Sequence, residues 1–454
     1  MGRLDGAGGT TVRGSLTVAA VGDCIASRPL LPFAASEPSF AQVVSLLRGS
    51  DATFGNLETS IVDLTDTESV PWGLPDDWAV RAQPETALDL RSLGVDLFAR
   101  ANNHATDWGP GGLVETGLWL EGAALVHAGA GETLAAARAP RYLETSAGRV
   151  GLVSMTTSPA SGLAAALDGF GEVPARPGVN PVRVHTSVIV TQEVMRALVA
   201  IHAAHPEADV AWLAQDVDPE GDPPTVLELY GKRFELGPEM GVRHDADEEA
   251  LAATLKAIRL AAQHADVVVA AAHSHQGDRH AAEPPAFLRS WAQAAIEHGA
   301  DLVAVSGPHR LGPVELHRGR PILYGLGNFL WSDIQEPIQR YHYDESRDVL
   351  GKRFDDPGAV TDADLMGVLT EDAFGDEAVF RGALARMRFT PEGLEELRLH
   401  PVDLGRNEPL TRRGVPRAAA PDVATAILDE MATMSEPFGA TVSIDEGMGV
   451  VRAV

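Results

Sequence analysis

The chain has 454 residues, 45% hydrophobic and 22% charged, the balance of a folded globular protein with ample length for a large core. Its 64 Asp and Glu against 36 Lys and Arg give a formal charge of −28, which repels nucleic acid and anionic membranes and suits a divalent cation or cationic ligand; most of the excess needs no purpose beyond solubility. A single cysteine, Cys24, excludes an internal disulfide and a cysteine-built zinc cage.

Residues 1–14 are a Gly-rich polar leader without the apolar centre of a signal peptide. No stretch approaches 18 uninterrupted apolar residues, so no transmembrane span is expected and a cytoplasmic location is the default. "SLTVAAVGD" (15–23) then reads as a short buried strand, and "DATFGN" (51–56) and "VDLFARAN" (95–102) repeat the pattern, each after a helical stretch. "RVGLVSM" (149–155), "ADVVVAAAHSH" (265–275) and "ADLVAVSGPH" (300–309) continue the series, with helices expected over 191–205, 246–265 and 284–299. Strand followed by helix, repeated, predicts an α/β layered protein. "PVELHRGRPILYGLG" and "AVFRGALARMRFT" read as hairpin strands, so two sheets covered by helices are expected. Segments 64–78, 219–225 and 335–365 read as loops, and the last is long enough to suggest a lid or binding surface.

Polar groups gather where the strands stop. Asp23 follows the first, Asn56 and Glu58 the second, and Asn102, Asn103, His104 and Asp107 the third. His273, His275, Asp278 and His309 follow the later two. Taken singly, each has an ordinary explanation: an Asp after a strand is a turn residue or cap, and a lone His is a hydrogen-bonded core group. His244, His280 and His317 keep that structural reading. Recurrence at five strand ends is different, because ligands of open α/β sheets bind beyond the carboxyl ends of the strands. Carboxylate, amide and imidazole together are ligands for a hard or borderline divalent cation.

The stretches "VGDCIASRP", "DATFGNLETSI", "ARANNHATDWGPGGLVET", "AGETLAAAR", "RPGVNPVRV", "HSHQG" and "GPHRLGPVELHRGRPILYGLGNFLW" occur in the order found in the CapA family, named for poly-γ-glutamate capsule biosynthesis. The chain resembles that family, and through it the calcineurin-like metallophosphoesterases, over about residues 15–335. The resemblance implies a four-layer αββα sandwich with a metal site at the sheet ends: a catalytic domain over 15–335, a loop or lid insertion over 336–375, and C-terminal strands and a helix over 376–454 completing the same domain. It also implies metal ligation by Asp23, Asn56, Glu58, Asn103, His275 and His309, with His104 as acid or base and Asp107 orienting it. Three positions depart from the pattern. Gly307 stands where the superfamily has a ligand histidine, Asp23 lacks the histidine that normally follows in its motif, and Gln276 replaces a tryptophan. These losses imply one divalent ion (calcium, manganese, magnesium or zinc) rather than two.

His104 with Asp107, and His275 with Asp278, can each be drawn as a His–Asp dyad suited to proton transfer near neutral pH. On an extended strand, His273 shares a face with His275. Two dyads beside one cation meet the needs of inverting a carbon centre, and the lasso-peptide epimerases are the branch that the chain most resembles. The leading expectation is therefore metal-assisted epimerisation at a Cα of a ribosomal lasso precursor peptide, at its C-terminal residue. Arg183 or Arg310 would bind the carboxylate, and Tyr341 and Tyr343 are candidate wall residues, though ordinary loop packing explains them slightly better. The alternative is a metal-dependent hydrolase of phosphate esters or of amide bonds in a poly-γ-glutamate-type polymer. A non-catalytic binding protein that keeps the fold is the third possibility.

Overall fold

The strand Leu16–Ile25 is buried along nearly its whole length, as expected of a central strand covered on both faces. Its side chains alternate between two cores: Val18 and Ala20 join one apolar cluster, Ala19 and Val21 another. In this computed structural model, which describes residues 10–72, 79–158, 164–204, 218, 220–277, 283–332, 338 and 340–453, that strand lies in the middle of a ten-stranded sheet. It pairs in parallel with Ala52–Leu57 and Asn328–Trp331, and antiparallel with Arg381–Thr390. Leu97–Ala99 and Val126–Ala128 extend the parallel side, while Gly393–Asp403 and the hairpin Ala440–Asp445/Met448–Ala453 extend the other.

The second sheet has six strands, with Val267–His273 between Arg149–Thr156 and Leu302–Ser306, all parallel. Val267, Val269 and Ala271 meet Val18, Phe54 and Leu97 in the core between the sheets. Val268 and Ala270 face outward onto the helices Glu248–His264 and Ala286–Glu297 through Ile258, Ala261, Leu288 and Trp291. The outer face of the first sheet is covered by Pro38–Arg48, Glu85–Leu93 and Gly109–Gly122 through Phe40, Leu47, Leu90 and Leu120. The order of layers is α, β, β, α. The C-terminal segment contributes strands to the first sheet and packs Ile427, Leu428 and Met431 of the helix Pro421–Ser435 into the central core.

Two regions differ from the sequence reading. A four-stranded sheet (Val184–Val190, Val226–Leu229, Lys232–Leu236, Gly241–Ala246) forms a separate small layer over the helix Gln192–Ala204, with its own core of Val190, Met195, Val199, Leu227 and Leu229. The segment expected to be a loop over 335–365 is instead helical over Arg340–Glu345, Arg347–Arg353 and Asp362–Phe374. Leu350, Leu365 and Val368 make a small core there, and a capping box between Thr361 and Asp364 starts the last helix. High charge and the Pro and Gly punctuation hid the spacing of Leu365 and Val368, three residues apart on one helical face. Tyr343 packs against that small core and donates its hydroxyl to Asp362, so it is part of the insertion's interior and not a wall of the site. The Tyr341 side chain lies outside the described set.

Candidate metal centre

The core between the sheets ends in polar side chains that continue its own period of two. Ala52 and Phe54 are followed on the same face by Asn56; Val269 and Ala271 by His273; Leu302 and Ala304 by Ser306. The first strand needs a device to join them. Ala20 pairs with Phe54 but Asp23 pairs with Asn56, so one extra residue is accommodated between them. Without this bulge the inter-sheet face after Ala20 would fall to Gly22, and Asp23 would turn toward the helices.

Asp23 is 1% exposed and Glu58 is fully buried, and they share a small polar chamber with His273 and His309. Asn56 Nδ2 donates to Asp23 Oδ1 at 2.8 Å. His309 Nδ1 lies 3.3 Å from Asp23 Oδ2, and its Nε2 is 3.9 Å from Glu58 Oε1. His273 Nε2 is 3.5 Å from Glu58 Oε1 and 2.8 Å from Asn103 Oδ1. His275 Nε2 reaches the same Asn103 oxygen at 3.3 Å and His273 Nε2 at 3.1 Å. Burial by itself would push the Asp23 carboxyl up, but His309, His273 and Asn56 together bring it down to about 2. Glu58 is pushed well above the usual carboxylate range by burial and then by Asp23 and Asp107. Burial, followed by His275, holds the His273 imidazole far below its ordinary value and so neutral, the form that ligates.

Whether these residues suit a divalent cation can be judged from Glu58. Among the described residues, neither of its carboxylate oxygens has a hydrogen-bond partner although the side chain has no exposure. A buried carboxylate in that condition costs several kcal/mol unless a positive charge compensates it. Two ligand sets converge on it: Glu58 with His273 and His275, and Glu58 with Asp23 and His309, each with ligand atoms within 4.8 Å of one another. Carboxylate and imidazole at this spacing fit a divalent ion.

Most of the residues singled out in the sequence come together here. Asp23, Glu58, Asn103, His275 and His309 surround the chamber, and His104 stands at its edge with Nδ1 2.8 Å from Asp107 Oδ2. Asn56 has a different place from the one expected. Its Oδ1 accepts from Asn102 Nδ2 at 3.2 Å and its amide nitrogen faces Asp23, so it orients Asp23 and offers no oxygen to the chamber. Arg183 is exposed at the entry to the four-stranded sheet and is not among the residues lining the cleft. Arg310 does line the cleft, and its guanidinium is engaged by Asp376 at 2.6 Å. Asp278, and with it the second expected dyad, lies outside the described residues, as does His280.

The sequence reading left out Ser306 and Asn328, and it named His273 and Asn102 without giving either a role. His273 was noted only as sharing a face with His275, yet it sits at the centre; a histidine continuing the inward series Val267, Val269, Ala271 was the available signal. Ser306 Oγ lies 2.9 Å from His273 Nδ1 and Asn56 Nδ2 lies 3.3 Å from it, so the two hold the ring with Nε2 toward Glu58 and Asn103. Asn102 donates to the Leu57 carbonyl and accepts from the His104 amide, locking the loop that carries Asn103 and His104. Asn328 faces His309. Gly307 is explained by space: a Cβ there would lie 2.6 Å from the Ser274 carbonyl oxygen, and its φ of +117° belongs to glycine. The amide of Gly307 instead approaches Asp23 Oδ2 at 3.4 Å.

The chamber opens into a cleft of about 950 Å³. His104, His275, His309, Leu288 and Leu311 line it together with Glu430 and Met434 of the helix Pro421–Ser435. That volume is at the large end of small-molecule sites.

Comparison with known proteins agrees with the sequence resemblance. The family model described as bacterial capsule synthesis protein PGA_cap matches residues 17–333. The protein y4sH of Sinorhizobium fredii is 36% identical over 459 residues, covering 99% of this chain and 95% of that protein. The PGA biosynthesis protein CapA of Bacillus subtilis is 39% identical over 71 residues, 16% of this chain and 18% of that one. Among solved structures, an NAD nucleotidase from Haemophilus influenzae aligns over 92% of this chain and 56% of its own at 11% identity, with a TM-score of 0.32. No helix among the described residues is long and apolar enough to cross a membrane. With its family model matching residues 17–333, which hold every residue of the chamber described above, the chain belongs to the PGA_cap family of bacterial capsule synthesis proteins.

Proposed function

We propose that the chain is a divalent-cation-dependent hydrolase of an amide- or ester-linked chain molecule. The observation that carries this reading is Glu58, buried without a hydrogen bond to either oxygen and shared by two ligand sets. The sharing supports two adjacent cation positions instead of one. The single-ion expectation rested on Gly307 having no side chain and on the histidine missing after Asp23; His273, from the neighbouring strand, brings an imidazole to Glu58 that offsets the first of these losses. A divalent ion held there would polarise the bond under attack.

The protein's own groups supply the rest. Asp107 Oδ2 accepts from the Val80 amide at 2.7 Å and from His104 Nδ1 at 2.8 Å. His104 therefore carries its proton on Nδ1, which makes Nε2 the nitrogen that would take a proton or return one. Its side chain is 20% exposed and lines the cleft, within reach of a substrate, while Asp107 is shielded. The size of the cleft favours an oligomeric substrate over a single small metabolite. The capsule-related names of the relatives make an amide-linked polymer the natural class to try first.

Cα epimerisation of a peptide is the second reading, favoured by one feature: His104 from the first sheet and His309 from the loop after the second both border the same cleft. The dyad that would have supported it most directly is weakened, because His275 directs Nε2 at His273 and Asn103. One experiment separates the two. Purified protein is incubated in heavy water with manganese, using a γ-linked glutamate oligomer, a panel of α-peptides and p-nitrophenyl phosphate, and products are weighed by mass spectrometry. Cleavage that disappears in Glu58→Gln supports the hydrolase. Deuterium gained without cleavage replaces it with epimerisation, and the absence of both leaves only a binding role.

A further inference from the structure

The strand Asn328–Trp331 runs parallel to Leu16–Ile25 with Asn328 directly beside Asp23. Asn328 is fully buried, and both ends of its amide are used. Nδ2 donates to the Val379 carbonyl at 2.9 Å, and Oδ1 lies 2.9 Å from His309 Nδ1. A carbonyl can only accept, so Val379 settles which end of the amide carries the hydrogens. The end facing His309 is therefore oxygen, and it too can only accept. The imidazole nitrogen opposite must be the one bearing hydrogen. Asp23 Oδ2, 3.3 Å from the same nitrogen, makes the same demand. With the proton on Nδ1, the lone pair of the neutral ring lies on Nε2, which points toward Glu58.

We infer that Asn328 is the positioning residue that sets the tautomer of His309 and thereby makes Nε2 its ligand nitrogen. The rest of the socket serves the same end. Trp331, on the same strand, meets the His309 ring edge-on with centroids 5.4 Å apart and blocks its rotation. His309 is held at a φ of +56°, a conformation a histidine adopts only where its surroundings compensate. A ligating histidine commonly donates its other N–H to an oxygen, and loss of that partner typically costs about 10–100-fold in metal affinity. The consequence for metal binding rests on the proposed function; the tautomer does not.

Two measurements on the full-length protein test this. Long-range proton–nitrogen NMR on metal-free, histidine-labelled protein, with the His309 signals identified by their loss in His309→Gln, should show a protonated Nδ1 and a pyridine-type Nε2. A protonated Nε2 in the wild type would overturn the inference. Manganese titration by calorimetry, with no substrate, should then show Asn328→Ala binding about 10–100-fold more weakly, with a mixture of tautomers. Asn328→Asp, which keeps an acceptor toward His309 and, in its protonated form, a donor toward the Val379 carbonyl, should stay within a few-fold of wild type and hold the single tautomer. Wild-type affinity and tautomer in Asn328→Ala would refute the role. Circular dichroism shows whether that variant has folded, and if it has not, the Asp variant and the wild-type spectrum decide. A wild type that binds no manganese yet shows the expected tautomer would sink the metal reading and leave this one standing.

Discussion

Among single residues, Glu58 and His104 divide the work of the site into holding charge and moving protons. In metal-free protein the buried Glu58 carboxyl is a liability, since among the described residues neither oxygen has a hydrogen bond. Metal-free Glu58→Gln is accordingly expected to melt no lower than metal-free wild type, whereas manganese raises the melting temperature of the wild type alone. A wild type indifferent to manganese would contradict this. His104→Ala, in contrast, should leave manganese affinity within a few-fold, because the histidine hydrogen-bonds to Asp107 and belongs to neither ligand set. General acid–base groups contribute roughly 10²–10⁴-fold, so kcat for whichever substrate proves active should fall by that order while KM moves little. An equal loss of metal binding would reassign His104 as a ligand.

Secondary-structure elements differ in how securely they are held. The strands that carry the site are buried on both faces and paired on both sides, so their ends are presented with little freedom. The helical insertion over 340–374 depends on a few apolar residues and on its caps. Thr361→Ala removes the capping box and should cost the insertion about 1 kcal/mol. Hydrogen exchange in 362–374 is then expected to quicken about five-fold while the strand amides beside the site stay protected. Uniform acceleration would mean that the insertion and the sandwich unfold as one unit.

For the molecule as a whole, two partly buried histidines away from the site set an acid limit. Burial, then Arg100 and Arg141, lower His127 to about 3; burial, then Arg386 and Arg398, lower His400 to about 4. Both values lie below the ordinary value of about 6.5 expected in the unfolded chain. Protonation therefore favours unfolding: the stability these groups contribute is complete above about pH 6.5 and drains away as pH falls toward their folded values. Melting temperature should decline from pH 6.5 to 4, and His127→Gln should make that decline shallower. An unchanged slope would show that other groups govern acid unfolding.

The positions of the buried strands and their polar ends were legible in the sequence because period-two burial and strand-end chemistry are local properties: "LTVAAVGD" and "VVVAAAHSH" carry them in a few residues each. The family stretches likewise pointed to Glu58, His104 and His309 without any structure. The roles decided by neighbours distant in sequence were not legible. Whether Asn56 offers oxygen or nitrogen depends on Asn102 and Asp23, and His273 becomes central only when its strand faces Glu58 across the core. His309 acquires its tautomer from Asn328, and Asn328 from a carbonyl 51 residues further along. By itself the sequence determined the layered fold, the family and the set of chemical groups, because those follow from local pattern. Only the tertiary structure decided which atom of each group faces the chamber, because an amide or an imidazole has two unlike ends and only a partner in space chooses between them.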